Sequence, residues 1–326
     1  MAGKLFLLMG LAVFVSAQDA VFRVTADLVV VDAQVVSKKT GRTIGALDRR
    51  DFELFEDGVK QEVTFFSQNE LPLSIVFLFD LTETVQPVLK PLAAGALEAL
   101  GHLKPDDETA VMVYSASGQL LQDFTTDRAL TVAAIQKARD MTSDREAYFN
   151  EGVYQAAAQS DQAKNPSSRR VIIWLTDNVP NIPNQRVHSK ADAFQKLFET
   201  GTVVSCLLER SAMSDMFLVL HKRNPMFAFS RKHNPPGDVY EYADQTGGQV
   251  MKSGKAEVAT KLAELIDQIR TRYSLGYRPA AEKPPGKFCE IKLKVSPEVE
   301  KREGQALVKA KRGYYRRTSL PAETER

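Results

Sequence analysis

Two apolar runs constrain this 326-residue chain more than any other feature. The first, Ser74-Ile75-Val76-Phe77-Leu78-Phe79, leads into Asp80-Leu81-Thr82-Glu83-Thr84. The second, Val171-Ile172-Ile173-Trp174-Leu175, leads into Thr176-Asp177-Asn178. Side chains alternate between the two faces of a strand, so a run that is apolar at every position has both faces buried. Such strands sit in the middle of a parallel sheet with helices on either side. In open sheets of that kind the ligand crevice lies beyond the carboxyl ends of the strands, where both aspartates fall.

The surrounding pattern supports the same layout. Between residues 73 and 272, strand-like runs alternate with helical periodicity. Leu89, Leu92, Ala96, Leu97 and Leu100 mark one helix face, and Pro87 and Pro91 predict a late start or a kink in it. Thr109 to Tyr114 reads as a strand, with Gln119 to Phe124 as its hairpin partner at an edge. Further helices are expected from Thr126 through Ala138, over Glu151 to Ala158, Ala191 to Glu199 and Val239 to Gln245, and from Ala256 to Arg272. Thr202 to Leu208 and Gln249 to Met251 complete the strands, while Ser211 to Asp238 shows no clear period. This alternation predicts an α/β fold with a doubly wound, mostly parallel sheet.

Both flanks are β-only. Phe22 to Val36, Phe52 to Val59 and Val63 to Phe66 alternate on one side, with Asp57-Gly58 as a hairpin turn. Tyr273 to Tyr277, Phe288 to Val295 and Gln305 to Ala310 do so on the other, separated by Pro284-Pro285-Gly286 and a charged turn at Glu298 to Glu303. Neither flank is long enough to hold a core alone. The economical expectation is one small β-sandwich built from both, with the α/β domain inserted between its halves. The predicted organisation is 1–17, 18–70, 71–272, 273–317 and a tail at 318–326.

Residues 1–17 read as a secretory signal. Lys4 precedes the apolar run Leu5 to Val15, and Val15-Ser16-Ala17 supplies small residues at the cleavage site. The run is too short to span ~30 Å of hydrocarbon, which takes ~20 residues. The expected location is therefore exported, periplasmic or extracellular, with no transmembrane segment. A net charge of +2 gives no footprint for nucleic acid. Cys206 and Cys289 are the only cysteines. Two free buried thiols and one disulfide both fit their apolar surroundings.

Asp80, Thr82, Thr84 and Asp177 offer hard oxygen ligands suited to magnesium, with calcium or manganese as alternatives. Read alone, the Asp80 stretch also fits a turn that caps the next helix. The four residues carry a resemblance, however. Asp80-Leu81-Thr82-Glu83-Thr84 is similar to the Asp-x-Ser-x-Ser metal-ion-dependent adhesion motif of von Willebrand factor type A domains, with threonines in place of serines. Thr176-Asp177 matches that family's later strand-end aspartate. Asp51-Phe52-Glu53-Leu54-Phe55-Glu56-Asp57-Gly58, Thr246-Gly247-Gly248, Tyr273-Ser274-Leu275-Gly276-Tyr277 and Arg312-Gly313-Tyr314-Tyr315 extend the likeness to exported bacterial proteins with such a domain.

The resemblance implies a non-enzymatic, adhesion-type module that binds a protein partner at the carboxyl edge of the sheet, through a divalent cation and a carboxylate of the partner. Two departures stand out. The family site takes a threonine from the loop before the third helix. Residues 144–151 contain none; Ala147 stands in its place, with Asn150, Asp144 or Glu146 as substitutes. Asn178 replaces the glycine usual after the second aspartate. The first departure motivates an alternative, a metal-independent structural or assembly protein. A hydrolase using Asp80 and Asp177 is a third reading. The chain has no Gly-x-Ser-x-Gly elbow, phosphate-binding glycine loop or zinc-binding His/Glu helix, and its four histidines share no spacing.

Overall fold

The computed structural model describes residues 28–68, 70–142, 148–179, 188–223, 238–279 and 283–316. The two apolar runs form the neighbouring parallel strands β5 (Leu73–Asp80) and β8 (Arg169–Thr176), with Ile75 opposite Val171 and Phe79 opposite Leu175. Around them lie β6 (Glu108–Tyr114), β7 (Gly118–Thr125), β9 (Val203–Glu209) and β10 (Val250–Ser253). The sheet order is β10-β9-β8-β5-β6-β7, parallel throughout except for β7, which runs antiparallel to β6. Winding proceeds outward from β5 in one direction and from β8 in the other. The reversal between them opens a crevice at their carboxyl ends.

Alternation along each central strand feeds two separate cores. Ile75, Phe77, Phe79, Val171, Ile173 and Leu175 pack under α1 (Gln86–Ala99), α2 (Arg128–Asp140) and α7 (Val258–Arg270). Val76, Leu78, Ile172 and Trp174 pack under α3 (Phe149–Ser160), α4 (Lys190–Thr200) and α6 (Val239–Thr246). Burying a large apolar side chain contributes roughly 1.5–3 kcal/mol. These positions therefore tolerate no polar residue until the strand ends are reached.

The flanking segments interleave as expected. One sheet has the order β13-β1-β11-β4, from β1 (Val29–Ser37), β4 (Val63–Ser67), β11 (Tyr273–Tyr277) and β13 (Ala306–Ala310). The other has the order β14-β12-β2-β3, from β2 (Phe52–Glu56), β3 (Val59–Gln61), β12 (Phe288–Val295) and β14 (Gly313–Tyr315). Each sheet mixes strands from both ends of the chain. They share one core containing Val31, Val35, Leu54, Leu275, Tyr277 and Ile291. Cys206 lies in the α/β core and Cys289 in the sandwich core, and both are free and buried.

Arg169, at the start of β8, ties the two units together. Its guanidinium donates to the carbonyls of Arg270 (2.6 Å) and Arg272 (2.9 Å) and to Ser274 Oγ (3.0 Å), with Asp32 Oδ2 at 3.3 Å. Thr246-Gly247-Gly248 is a second joint. Thr246 Oγ1 accepts from the Val204 N–H at 2.9 Å. Gly247 caps α6 at φ 78°, and a Cβ there would lie 2.5 Å from the Ala310 backbone.

Two local expectations need correction. Glu298 to Glu303 belongs to a short helix, α8 (Pro297–Glu303), rather than a charged turn; Pro297 sits in its first turn, where the missing N–H costs nothing. Helix α1 does not start late: it begins at Gln86 with Pro87 in its first turn and carries Pro91 inside. Among the described residues no helix is long and apolar enough to cross a membrane. The signal-sequence expectation over 1–17 and the tail at 318–326 lie outside the described residues.

Candidate metal centre

The adjacent ends of β5 and β8 bring Asp80 and Asp177 to one place. Asp80 and Asp177 are fully buried, and Thr82 and Thr84 nearly so. Asp80 Oδ1 accepts from the Thr82 N–H at 2.9 Å, which bends the chain out of the strand. Asp80 Oδ2 accepts from Thr176 Oγ1 at 2.6 Å, across the β5–β8 boundary. The Tyr114 hydroxyl also donates to Asp80 and itself accepts from Trp174 Nε1 at 3.0 Å. Thr82 Oγ1 and Thr84 Oγ1 lie 3.2 Å apart, and the Thr84 hydroxyl donates to Asp177. All four residues expected from the sequence thus converge.

Three partners were not anticipated as site residues: Thr176, Tyr114 and Ser214. Helix α5 (Ala212–Arg223) presents Ser214, whose Oγ donates to Asp177 Oδ2 at 2.7 Å. Asp177 Oδ1 accepts from the Val179 N–H at 3.1 Å. Strand alternation could have flagged Thr176 and Tyr114, since both occupy strand ends beside Asp80. Ser214 lies in a stretch without readable period, and only the fold brings it near Asp177.

Asn178 accounts for the glycine usual in its place. Its φ is 57°, in the left-handed region where glycine is favoured and asparagine is the better-tolerated substitute. Its Oδ1 also accepts from the Val239 N–H at the start of α6, 3.3 Å away. Ala147, Asp144 and Glu146 lie outside the described residues. Asn150, the remaining substitute for the absent threonine, is buried, and its Oδ1 accepts from the Tyr242 hydroxyl at 2.8 Å.

The electrostatics are those of two acids confined together. Burial and then the charge of Asp177 push the Asp80 carboxyl up to about 7, against the hydrogen bonds from Thr176, Tyr114 and Thr82. Burial likewise raises Asp177. Among the described residues no lysine, arginine or histidine forms an ion pair with either. Two buried carboxylates and two hydroxyls form a donor set that fits a hard divalent cation.

No family model and no curated protein matches the chain. Among solved structures, it is similar to the von Willebrand factor type A protein from Catenulispora acidiphila, at 12% identity and a TM-score of 0.44 over 76% of this chain and 71% of that one. It is similar to BatB from Bacteroides thetaiotaomicron at 13% identity and 0.43, over 60% and 98%. A third is proximal thread matrix protein 1 from the mussel byssus with zinc-occupied MIDAS motif, at 13% and 0.45; the match spans 62% of this chain and 49% of that protein. The central unit is an α/β domain with a doubly wound, mostly parallel six-stranded sheet, and the Asp80 loop lies at its switch point.

Proposed function

We propose that the chain is an exported, non-enzymatic binding module that engages a protein partner at the carboxyl edge of its central sheet. Asp80, Thr82, Thr84 and Asp177 would hold a divalent cation, magnesium first and calcium or manganese otherwise. Bound there with few protein anions, the ion supplies an electrophilic point for a carboxylate of the partner. The residues of the chain do the rest. Thr176 and Tyr114 orient Asp80, while Ser214 and the Val179 N–H orient Asp177.

The observation that carries this reading is the pair of adjoining buried carboxylates, which no lysine, arginine or histidine among the described residues pairs with. Titration calorimetry of the purified protein with magnesium, calcium and manganese tests it. Saturable binding near one equivalent is expected, and it should disappear in Asp80→Ala. Heat indistinguishable between the two proteins would sink the metal half.

A second reading, a metal-independent assembly protein, is favoured by one specific observation. Ser214 closes over Asp177, and both carboxylates are sealed from solvent. Partner capture that is equal in magnesium and in chelator, and unchanged in Asp80→Ala, would select that reading.

A further inference from the structure

The face of the sandwich that meets the α/β unit is polar, and its charges do not balance. In the sheet β13-β1-β11-β4, Asp32 lies opposite Ser274 and Gln34 opposite Lys309. Arg272 directly precedes β11, next to Tyr273, which pairs with Ala33. Strand alternation therefore puts Asp32, Gln34, Ser274, Arg272 and Lys309 on one face, while Val31, Ala33, Tyr273 and Leu275 fill the sandwich core. Gln268 of α7 and Gln249 complete the layer: Gln268 Oε1 accepts from Gln34 Nε2 at 3.5 Å and from Gln249 Nε2 at 2.7 Å.

Arg169 is matched in this layer, and two other cations are not. Asp32 gives Oδ1 to the Ser274 hydroxyl at 2.6 Å and Oδ2 to Arg169 at 3.3 Å. Arg272 is 3% exposed; its Nη2 donates to the Gly247 carbonyl, and its Nε and Nη1 are buried without a partner. Lys309, half-buried, donates to Gln249 Oε1 at 3.2 Å. Both cations thus rest on neutral acceptors, and they repel each other. Burial and then the Arg272 charge hold Lys309 below its ordinary range, and burial pushes Arg272 down to about 10, still charged at neutral pH. Gln34 Oε1 is a buried acceptor without a partner in the same layer. A cavity of about 170 Å³ adjoins, bordered by Gly247, Gly248, Gln249, Lys309 and the Asp244–Arg312 ion pair.

We propose that Arg272, Lys309 and Gln34 form a site for hydrogen phosphate at the joint between the two units. Its unprotonated oxygens accept from Arg272 Nε and Nη1 and from the Lys309 ammonium, the pairing that both cations favour. Its remaining P–O–H donates to Gln34 Oε1, which a fully deprotonated anion could not satisfy. The small cavity suits one inorganic phosphate and is below the size that takes a nucleotide. Arg272 and Lys309 belong to the sandwich and Gln249 to the α/β unit, so the ligand joins the units, independently of the Asp80 crevice.

The test is titration calorimetry of the full chain, freed of divalent ions, with sodium phosphate at neutral pH. Phosphate is kept in the millimolar range, below where it stabilises proteins by exclusion from their surface. One equivalent should bind and raise the melting temperature. Arg272→Met should abolish binding, Lys309→Met should weaken it at least about tenfold, and Arg312→Met should leave it within about twofold. Sodium sulfate, with no proton to give Gln34, should bind at least about tenfold more weakly. If Arg272→Met fails to fold, the half-buried Lys309→Met decides. No saturable heat together with no rise in melting temperature overturns the proposal, as does unchanged affinity in folded Lys309→Met. Equal loss in Arg312→Met and Lys309→Met, or equal affinity for sulfate and phosphate, overturns it as well.

Discussion

Buried carboxylates occur in two kinds of place in this molecule, and the contrast between them is instructive. Within the α/β unit, Asp107 is bound by both ends of the Arg270 guanidinium, at 3.2 and 2.6 Å, and also accepts from the Leu73 and Lys104 N–H groups. In the sandwich, Glu56 has Lys283. There the chain supplies its own cation, and the hydrogen bonds and Arg270 hold the Asp107 carboxyl below its ordinary range despite burial. At the carboxyl edge of the sheet, Asp80 and Asp177 have hydroxyls and N–H groups but, among the described residues, no cation, and both are raised. Among the described residues Asp80 and Asp177 are two adjoining buried acids with no ion pair, and they lie where an α/β sheet binds its ligands.

The largest effect should come from breaking an internal pair. Arg270→Met leaves Asp107 buried without its counter-ion, and such losses cost about 3–5 kcal/mol. A large drop in urea midpoint is expected; an unchanged midpoint would mean that the contrast is not energetic.

The unneutralised pair predicts the opposite sign. The folded-state Asp80 value lies above its ordinary 3.8, so ionisation opposes folding. The stability linked to its proton is fully present below 3.8 and is lost as pH rises toward about 7. A shift of that size corresponds to a few kcal/mol, on the order of 1.4 per pH unit. The metal-free chain should therefore melt at a lower temperature at pH 8 than at pH 5, beyond the drift shared by the whole protein. Asp80→Asn should flatten that component and stabilise the metal-free chain at pH 8, whereas Asp107→Asn should destabilise it. Matching signs for the two variants would erase the distinction.

The smallest effect concerns the turn after Asp177. Asn178→Ala places an alanine at φ 57° and removes the acceptor for the Val239 N–H. A loss of about 1–2 kcal/mol is expected by denaturant titration. Asn178→Gly, which relieves the strain but still lacks the acceptor, should lose less.

Much of this architecture could be read before the fold was known. The runs ending at Asp80 and Asp177 are apolar at every position, and that alone requires central strands with aspartates at their ends. The β-only flanks were too short to stand separately, so their union into one sandwich followed from burial. What escaped reading has identifiable causes. Helix α8 carries a single buried apolar residue, Val299, so periodicity was silent and only Pro297 marked its start. Helix α5 buries Ser214 while Met216 and Leu220 stay exposed, the reverse of an amphipathic signal. Lys283 meets Glu56 from 227 positions away, a distance no local pattern spans.

The central claim is that the charge of Asp80 and Asp177 is arranged for a cation from solution. Its most direct test is the melting temperature of the reduced chain at pH 7.5 in chelator and across a magnesium titration, for wild type and Asp80→Asn. A saturable rise in wild type that is absent in Asp80→Asn is the predicted result. No rise in wild type, or the same rise in both proteins, would contradict the account.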